Sequence, residues 1–374
     1  MTNVTRNENL NKERANEHNN AHLNGSEIGD EVIDLIEATH RRAAPNPFAS
    51  RLPAAVRGFA VLAALDKLRA HAVTASDGTP LAAYEAGERG RPTVLVFNAL
   101  GVSVAFVAPL VARLAVDYHV VGWEARGLPA APGDEAAVAD LSLARHARDA
   151  AEVLAALGAS HGTQEDKADR HEGDDAAAPH AFALVAYCAG SNVAAQALSE
   201  GLVTTGRLVL LSPSIELPGV AEKTPYQASV LPLWDRIAGG AHGQAALVRV
   251  LLGQARRDDD GTPDAQLAIL NALPFVDDAS IVRYARLQHG CRRDDWAARL
   301  AGFALPALVL HGESDEVIHT ATSRAVAQAL GAALQTVEAT GHFGVHTSRD
   351  LHERIAAFLK DAGEAGGKRH LGKE

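Results

Sequence analysis

One cysteine of this chain occupies a setting typical of a nucleophile. Cys188 follows the apolar run 181–186 and precedes Ala189 and Gly190, where a small-residue turn leads into an Ala-rich segment. A strand, a tight turn and a helix in that order form a nucleophile elbow, here with cysteine where serine is usual. A helix N-terminus favours negative charge, so a thiol held there ionises more readily. The structural alternative is that Cys188 is only a small core residue.

A thiol nucleophile needs a base, and the base needs a carboxylate that orients it. Asp315 follows the apolar run 307–310 and a Gly-containing turn, and His342 follows the run 334–338. Both therefore lie at the C-terminal ends of predicted strands, which is the edge at which an open α/β sheet collects its functional groups. We predict a triad in which Cys188 attacks, His342 moves the proton and Asp315 orients His342.

Other residues compete for these roles. His311 and His346 are alternative imidazoles, and we expect His311 to pack beneath the site and His346 to lie on the final helix. Glu216, which follows the apolar run that ends at Leu211, is a reserve carboxylate. Cys291 is the alternative thiol, because the chain has two cysteines.

Acyl chemistry also needs backbone N–H groups that bind the oxyanion formed during the reaction. We predict the amide of Ala189, directly after the nucleophile, as one donor and the amide of Leu100 as the other. Asn98 begins the loop that holds Leu100, and we expect its side chain to support this turn or to contact substrate; an ordinary strand-to-helix turn is the alternative. Tyr187 and Trp234 are predicted to contact substrate as well.

Strands and helical segments alternate through most of the chain, which predicts a mostly parallel, doubly wound α/β sheet. A β-hairpin that turns at Asp77-Gly78 precedes it. The charged segment 159–179 is predicted to be a flexible loop insertion rather than a metal site, and the helical, Trp-bearing segment 215–300 to be a lid. The predicted division of the chain is a disordered leader at 1–30, a helical extension at 31–67, the core at 68–214 and 301–360, the lid at 215–300 and a disordered tail at 361–374.

Composition narrows the class of protein. The chain has 374 residues, 47% of them hydrophobic, and a net charge of −11, which argues against a nucleic-acid surface. Two cysteines exclude a disulfide framework and suit a reducing compartment. We see no signal region at the N-terminus and no apolar run of about 18 residues, so we expect a cytoplasmic protein that does not bind membranes. No metal site is predicted.

The pattern resembles the α/β-hydrolase superfamily over about residues 68–360. The chain departs from the family pattern in two places. The family's elbow usually reads Gly-x-Ser-x-Gly, whereas this chain has Ala186 in place of the first Gly and Cys188 in place of the Ser. The oxyanion loop usually contains His-Gly, which Asn98-Ala99 replaces here. The segments that carry the resemblance are Asn98–Gly101, Trp123–Gly127, Ala186–Gly190, Gly312–Asp315 and Gly341–His342.

Cysteine-bearing members of that superfamily include carrier-protein aminoacyltransferases of nonribosomal peptide assembly, of the syringomycin and coronamic-acid type, as well as polyester synthases and dienelactone hydrolases. The chain looks most like the first group in its Cys elbow, mid-sized lid and extended N-terminus. That resemblance implies an acyltransferase that moves an acyl group, expected to be aminoacyl, between carrier-protein thiols through a thioester on Cys188. The carrier would supply the phosphopantetheine arm, so no bound cofactor is expected.

The implied partners are acyl or peptidyl carrier proteins, which are generally acidic. Arg256-Arg257 and Arg292-Arg293 are candidate contacts for them, although the Asp residues that follow favour solvated salt bridges. Two other functions stay open at this point. One is a cysteine-dependent thioesterase or ester or lactone hydrolase, and the other is a catalytically degenerate α/β-hydrolase scaffold.

Overall fold

The computed structural model describes residues 48, 63–128, 140–158, 178–253, 267, 270–293 and 295–367. The chain divides into two units, Met1–Ser50 and Arg51–Glu374, and the architecture below belongs to the second. The predicted leader, most of the predicted helical extension, and residues 159–177 of the predicted loop insertion lie outside the described residues.

The strands of the described part of the chain form one large and one small sheet. Their bounds are β1 Arg69–Thr74, β2 Pro80–Ala86, β3 Thr93–Phe97, β4 His119–Trp123, β5 His180–Ala181, β6 Ala183–Tyr187, β7 Thr204–Thr205, β8 Leu208–Leu211, β9 Ala307–Gly312 and β10 Ala333–Val337. The large sheet has eight strands in the order β1-β2-β4-β3-β6-β8-β9-β10, and β5 pairs with β7 separately. Only the β1–β2 and β2–β4 pairs in it are antiparallel.

Helices connect the parallel strands. They are α1 Ala108–Leu114, α2 Leu143–Leu157, α3 Gly190–Ser199, α4 Pro225–Ala238, α5 Gln244–Gly253, α6 Asp278–Gly290, α7 Trp296–Ala301, α8 Thr320–Leu330, α9 Gly344–Thr347 and α10 Arg349–Gly367, with 3-10 turns at Val104–Phe106 and Leu273–Phe275. Helices α4 to α6 lie within residues 215–300, the segment predicted to be a lid, and α7 begins in that segment and ends at Ala301.

Burial explains why the central strands form. Every residue of β3, β4, β6 and β8 is buried, as expected of strands whose two faces are both covered. Their apolar side chains form one continuous core with α2, α3 and α8. The mostly parallel sheet with helices that the sequence predicts is therefore confirmed.

Two boundaries differ from the predicted ones. The apolar pattern over 104–114 predicts a single helix, but the chain forms a 3-10 turn and then α1. Helix α1 begins beside Pro109, a residue that favours a first helical turn. Helix α10 continues to Gly367, so residues 361–367 of the predicted disordered tail are helical. No proline ends the helix in this stretch, and it continues although three of the seven residues are glycine, which disfavours a helix.

Candidate active site

Cys188 lies on a sharp turn between β6 and α3. Its φ is +48°, a conformation that is uncommon for residues other than glycine, and its N–H donates to the Leu211 carbonyl at 2.9 Å. Gly190 opens α3 against the end of β3, where a Cβ would lie 2.5 Å from the Asn98 carbonyl oxygen and 2.6 Å from that of Phe97. Only glycine allows that approach, so the turn is held against the loop that follows β3.

Asp315 and His342 are joined by a hydrogen bond of 2.9 Å between Oδ2 and Nδ1. The other carboxylate oxygen accepts the N–H groups of Val317 at 2.9 Å and Ile318 at 2.8 Å. The side chain of Asp315 is fully buried. Burial opposes its charge, but the hydrogen bond from His342 and those from the backbone lower its pKa below the ordinary value. Asp315 is therefore a fixed anion that orients His342.

The loops that carry the acid and the base are bound to each other. A Cβ at Gly312 would lie 2.4 Å from the Thr340 carbonyl oxygen, so the end of β9 and the loop after β10 approach as closely as backbones can. The N–H of Ser314 donates to that same carbonyl at 2.9 Å, and the N–H of Glu313 donates to the Val337 carbonyl at 3.0 Å. This contact brings a residue from each of two separate loops into one pair.

His342 is buried between the acid and the thiol. Burial disfavours the charged ring, but the nearby Cys188 sulfur and the hydrogen bonds with Asp315 and Cys188 raise the pKa of His342 to about 10. Tyr187 donates its hydroxyl to the His342 carbonyl at 3.2 Å, and the two rings lie 5.2 Å apart. His342 therefore contacts both the carboxylate that orients it and the sulfur with which a catalytic base would exchange a proton.

The loop after β3 is fixed from several sides. Asn98 donates its amide group to the carbonyls of Val102 at 2.8 Å and Ser103 at 2.9 Å, and its Oδ1 accepts the Ala99 N–H at 2.8 Å. The Ser103 hydroxyl donates to Glu124 at 3.2 Å. The Asn98 side chain thus supports the turn. Sequence reasoning missed Glu124 as a support of the loop, although its signal was a carboxylate directly after a buried strand.

Two backbone amides next to Cys188 remain open for a ligand. In the part of the chain that the structure describes, the N–H groups of Leu100 and Ala189 have no acceptor. Ala189 directly follows the thiol and precedes α3, so its amide is one of the N-terminal groups that a helix leaves unbonded. The arrangement suits an oxyanion that forms on a carbonyl attacked by Cys188.

A cavity of about 120 Å³ opens onto Cys188 and His342. Tyr187 and Trp234 both line it. Trp234 is buried and stacks on Phe275 at 6.0 Å, so it forms a rigid wall. Most of the other lining residues are apolar or aromatic, among them Leu100, Val102, Phe106, Tyr226, Val230, Leu231, Tyr284, Val317, Ile318 and Phe343.

The competing histidines make other contacts. His311 lies in β9, is buried and shares a hydrogen bond of 2.9 Å with Ser323 of α8. His346 lies in α9 and bonds to the Phe106 carbonyl at 3.2 Å. Burial lowers the pKa of both rings.

Of the remaining candidates, Glu216, Arg292 and Arg293 form ion pairs, Cys291 is buried, and Arg256-Arg257 is not among the described residues. Glu216 pairs with Lys223 at 3.0 Å on the cavity wall. Cys291 lines the same cavity as Cys188, and burial raises its pKa to about 12. Arg292 bonds to Asp235 at 2.7 Å, and Arg293 pairs with Asp295. Arg256-Arg257 falls outside the described residues.

Metal-binding clusters and membrane-spanning helices are both absent from the described residues. These residues contain no group of three or more His, Cys, Asp or Glu side chains placed to bind a metal ion. None of their helices combines the length and the apolar character needed to cross a bilayer.

A family model described as serine aminopeptidase, S33 (Hydrolase_4) matches residues 88–344, more than half of the chain. The chain belongs to this α/β-hydrolase family. The matched segment includes the oxyanion loop, the elbow, Asp315 and His342, and membership places the chain among hydrolase-type enzymes. The family description names serine, whereas this chain has Cys188 at the elbow.

Solved structures agree with the fold. The chain is similar to the esterase RhEst1 of Rhodococcus sp. ECU1013, with 18% identity, a TM-score of 0.55, and coverage of 78% of this chain and 98% of that one. It is also similar to carboxylesterase CesB of Bacillus subtilis, with 16% identity, a TM-score of 0.53, and coverage of 81% and 96%. These identities support the α/β-hydrolase fold alone. No curated protein sequence matches the chain significantly.

Proposed function

We propose that this α/β-hydrolase is a cysteine-dependent acyl hydrolase that cleaves esters or thioesters. The observation that carries the proposal is the linked set of Cys188, His342 and Asp315 beside two open backbone amides. Family membership supports hydrolysis over other chemistry.

The steps follow from the geometry. The Cys188 thiolate attacks the substrate carbonyl, and the N–H groups of Leu100 and Ala189 bind the oxyanion. His342 then gives its proton to the leaving alcohol or thiol, which leaves an acyl thioester on Cys188. His342 next takes a proton from water, the hydroxide adds to the thioester, and the carboxylic acid departs as the sulfur is released. Asp315 orients His342 throughout.

The cavity limits the acyl group. A volume of about 120 Å³ is small for a ligand cavity. Its walls are mainly apolar and aromatic, although Glu216 and Arg292 also line it. We therefore assign a short, mainly apolar acyl group to the substrate.

Transfer to a second thiol is the other candidate, and the thiol nucleophile itself favours it. A thioester on Cys188 keeps an energy close to that of a thioester donor, so the acyl group can pass on to a carrier-protein thiol. This is the function implied by the resemblance to aminoacyltransferases. It requires that water be kept from the acyl enzyme, a task for which the apolar cavity is suited.

Intact-protein mass spectrometry tests the proposal. With a short-chain p-nitrophenyl ester or acyl thioester, we expect an added acyl mass on Cys188, and none in Cys188→Ala. Release of free acid indicates hydrolysis, whereas a newly loaded acceptor thiol indicates transfer. An adduct that persists in Cys188→Ala would refute the proposal. A Cys188 that resists iodoacetamide would favour a non-catalytic scaffold.

A further inference from the structure

Helix α6 of the predicted lid contacts the turn that carries the Leu100 amide. Gln288 donates its side-chain amide to the Leu100 carbonyl at 3.4 Å. The Tyr284 ring lies against Gly101, where a Cβ would be 2.6 Å from its Cδ2 atom. We propose that Tyr284 and Gln288 are positioning residues that fix the Leu100 amide for the oxyanion, an inference that rests on the proposed function.

The turn needs support on the side that α6 covers. Gly101 has a φ of +79°, which a residue with a side chain rarely adopts, so its backbone is free to rotate unless a neighbour confines it. Asn98 restrains the next two carbonyls along the loop, those of Val102 and Ser103. The contacts from α6 act on Leu100 and Gly101 themselves. Asn98 also accepts the Ala99 N–H, so the Ala99–Leu100 peptide that carries the amide is restrained before it by Asn98 and after it by the contacts from α6.

Tyr284 is itself held firmly. Its ring lies edge-on to Trp234 at 5.3 Å and to Phe275 at 4.9 Å. These aromatic contacts belong to a buried cluster formed by α4, the 3-10 turn at Leu273–Phe275, α5 and α6. Oxyanion donors must be fixed before the reaction, and a displacement of about 1 Å can cost about 100-fold in rate. A rigid cluster behind Tyr284 therefore supports catalysis as well as substrate binding.

Four variants test this inference. Tyr284→Ala removes the ring, Tyr284→Phe keeps it, and Gln288→Leu removes the hydrogen bond at similar volume. Arg286→Ala is the matched control, because Arg286 is exposed on the same helix. The measurements are kcat and KM for a short-chain p-nitrophenyl ester, and the rate at which iodoacetamide alkylates Cys188. Alkylation joins sulfur to carbon and expels iodide without forming an oxyanion.

We expect Tyr284→Ala to lower kcat by at least about 10-fold and Gln288→Leu by about 3-fold or more, a fraction of the loss for removing an oxyanion donor. KM and the alkylation rate of both variants should stay within about twofold of wild type. Tyr284→Phe, which keeps the ring, should lose less kcat than Tyr284→Ala, and Arg286→Ala should match wild type. A short-chain trifluoromethyl ketone gives a second readout, because its adduct on Cys188 carries an oxyanion. Its dissociation constant should rise in step with the loss of kcat.

Other outcomes overturn the inference. A raised KM with unchanged kcat would mean that Tyr284 only lines the acyl site. A parallel fall in kcat and alkylation would mean that the elbow itself was disturbed. Failure of the proposed function looks different, because the wild-type chain would then show no turnover while iodoacetamide still labels Cys188. In that case the ketone alone decides whether α6 positions the amide.

Discussion

The Asp315→Asn variant tests how the site controls His342. In wild type, the second carboxylate oxygen of Asp315 accepts the hydrogen bond from Nδ1 of His342 at 2.9 Å. In the variant, the asparagine Oδ1 can still accept the N–H groups of Val317 and Ile318. The NH₂ group of the asparagine then faces Nδ1 of His342, where it cannot accept. The Asp315 side chain is fully buried, so water cannot replace the lost acceptor. The variant should therefore fold while holding His342 in the wrong tautomer.

The magnitude follows from that contact. A hydrogen bond to a charged group contributes about 1.5–3 kcal/mol, and each 1.36 kcal/mol is about tenfold in rate. Loss of this bond alone would lower the rate by about 10- to 150-fold, and a wrong tautomer can extend the fall in rate to about 10⁴-fold. We expect kcat/KM for a short-chain ester to fall by about 10²- to 10⁴-fold.

The assay compares Asp315→Asn with Glu313→Gln, which makes the same carboxylate-to-amide change at an exposed position of the same loop. Iodoacetamide alkylation of Cys188 between pH 5 and 9 is the second measurement. Because Asp315 is among the contributions that raise the pKa of His342, the amide should lower that pKa, and the alkylation profile of Asp315→Asn should differ from that of wild type. The reasoning fails if Asp315→Asn keeps kcat/KM within about threefold of wild type or if both profiles coincide.

Three further perturbations have defined outcomes. Gly190→Ala should cost about 1–3 kcal/mol of unfolding free energy in urea, because its Cβ meets backbone oxygens at 2.5 and 2.6 Å. Burial disfavours the charge of Glu85, yet bonds from arginine and histidine lower its pKa to about 2. The stability that the Glu85 carboxylate adds to the folded state is thus complete above pH 4.5 and lost as the pH falls towards 2. The urea midpoints at pH 6 and pH 3 should therefore differ less in Glu85→Gln than in wild type. Cys188→Ser should retain the fold by thermal melting but lose most ester turnover.

The regular parts of the fold were predictable because their signals are local. The hairpin turn at Asp77-Gly78 and the buried run of β3 can each be recognised from a few neighbouring residues. The residue pattern predicts a helix over Thr320–Leu330, and α8 has those bounds. The break in the predicted helix over 104–114 was missed, because the apolar pattern continues through it while the backbone changes from 3-10 to α beside Pro109.

The site was predictable only where strand ends identify residues. Asp315 follows the buried strand β9 and His342 follows the edge strand β10, in which only Val337 is buried, and the sheet topology brings them together. The bond from Gln288 to Leu100 joins residues 188 positions apart, and nothing in the local pattern of either residue indicates the other. Such contacts depend on how segment 215–300 packs against the core. The spacing of apolar residues along that segment does not indicate how it packs.

The shape of the elbow does not by itself select a thiol. The turn, with φ at +48° and Gly190 against Asn98, would accept cysteine or serine at position 188. The contact with His342 is what would separate the two side chains in the proposed mechanism. Burial opposes a charged His342, and the charge and the hydrogen bond of Cys188 are among the contributions that raise the pKa of that ring. A serine could keep the hydrogen bond but not the charge, so Cys188→Ser should change the titration of His342 while it leaves the turn intact.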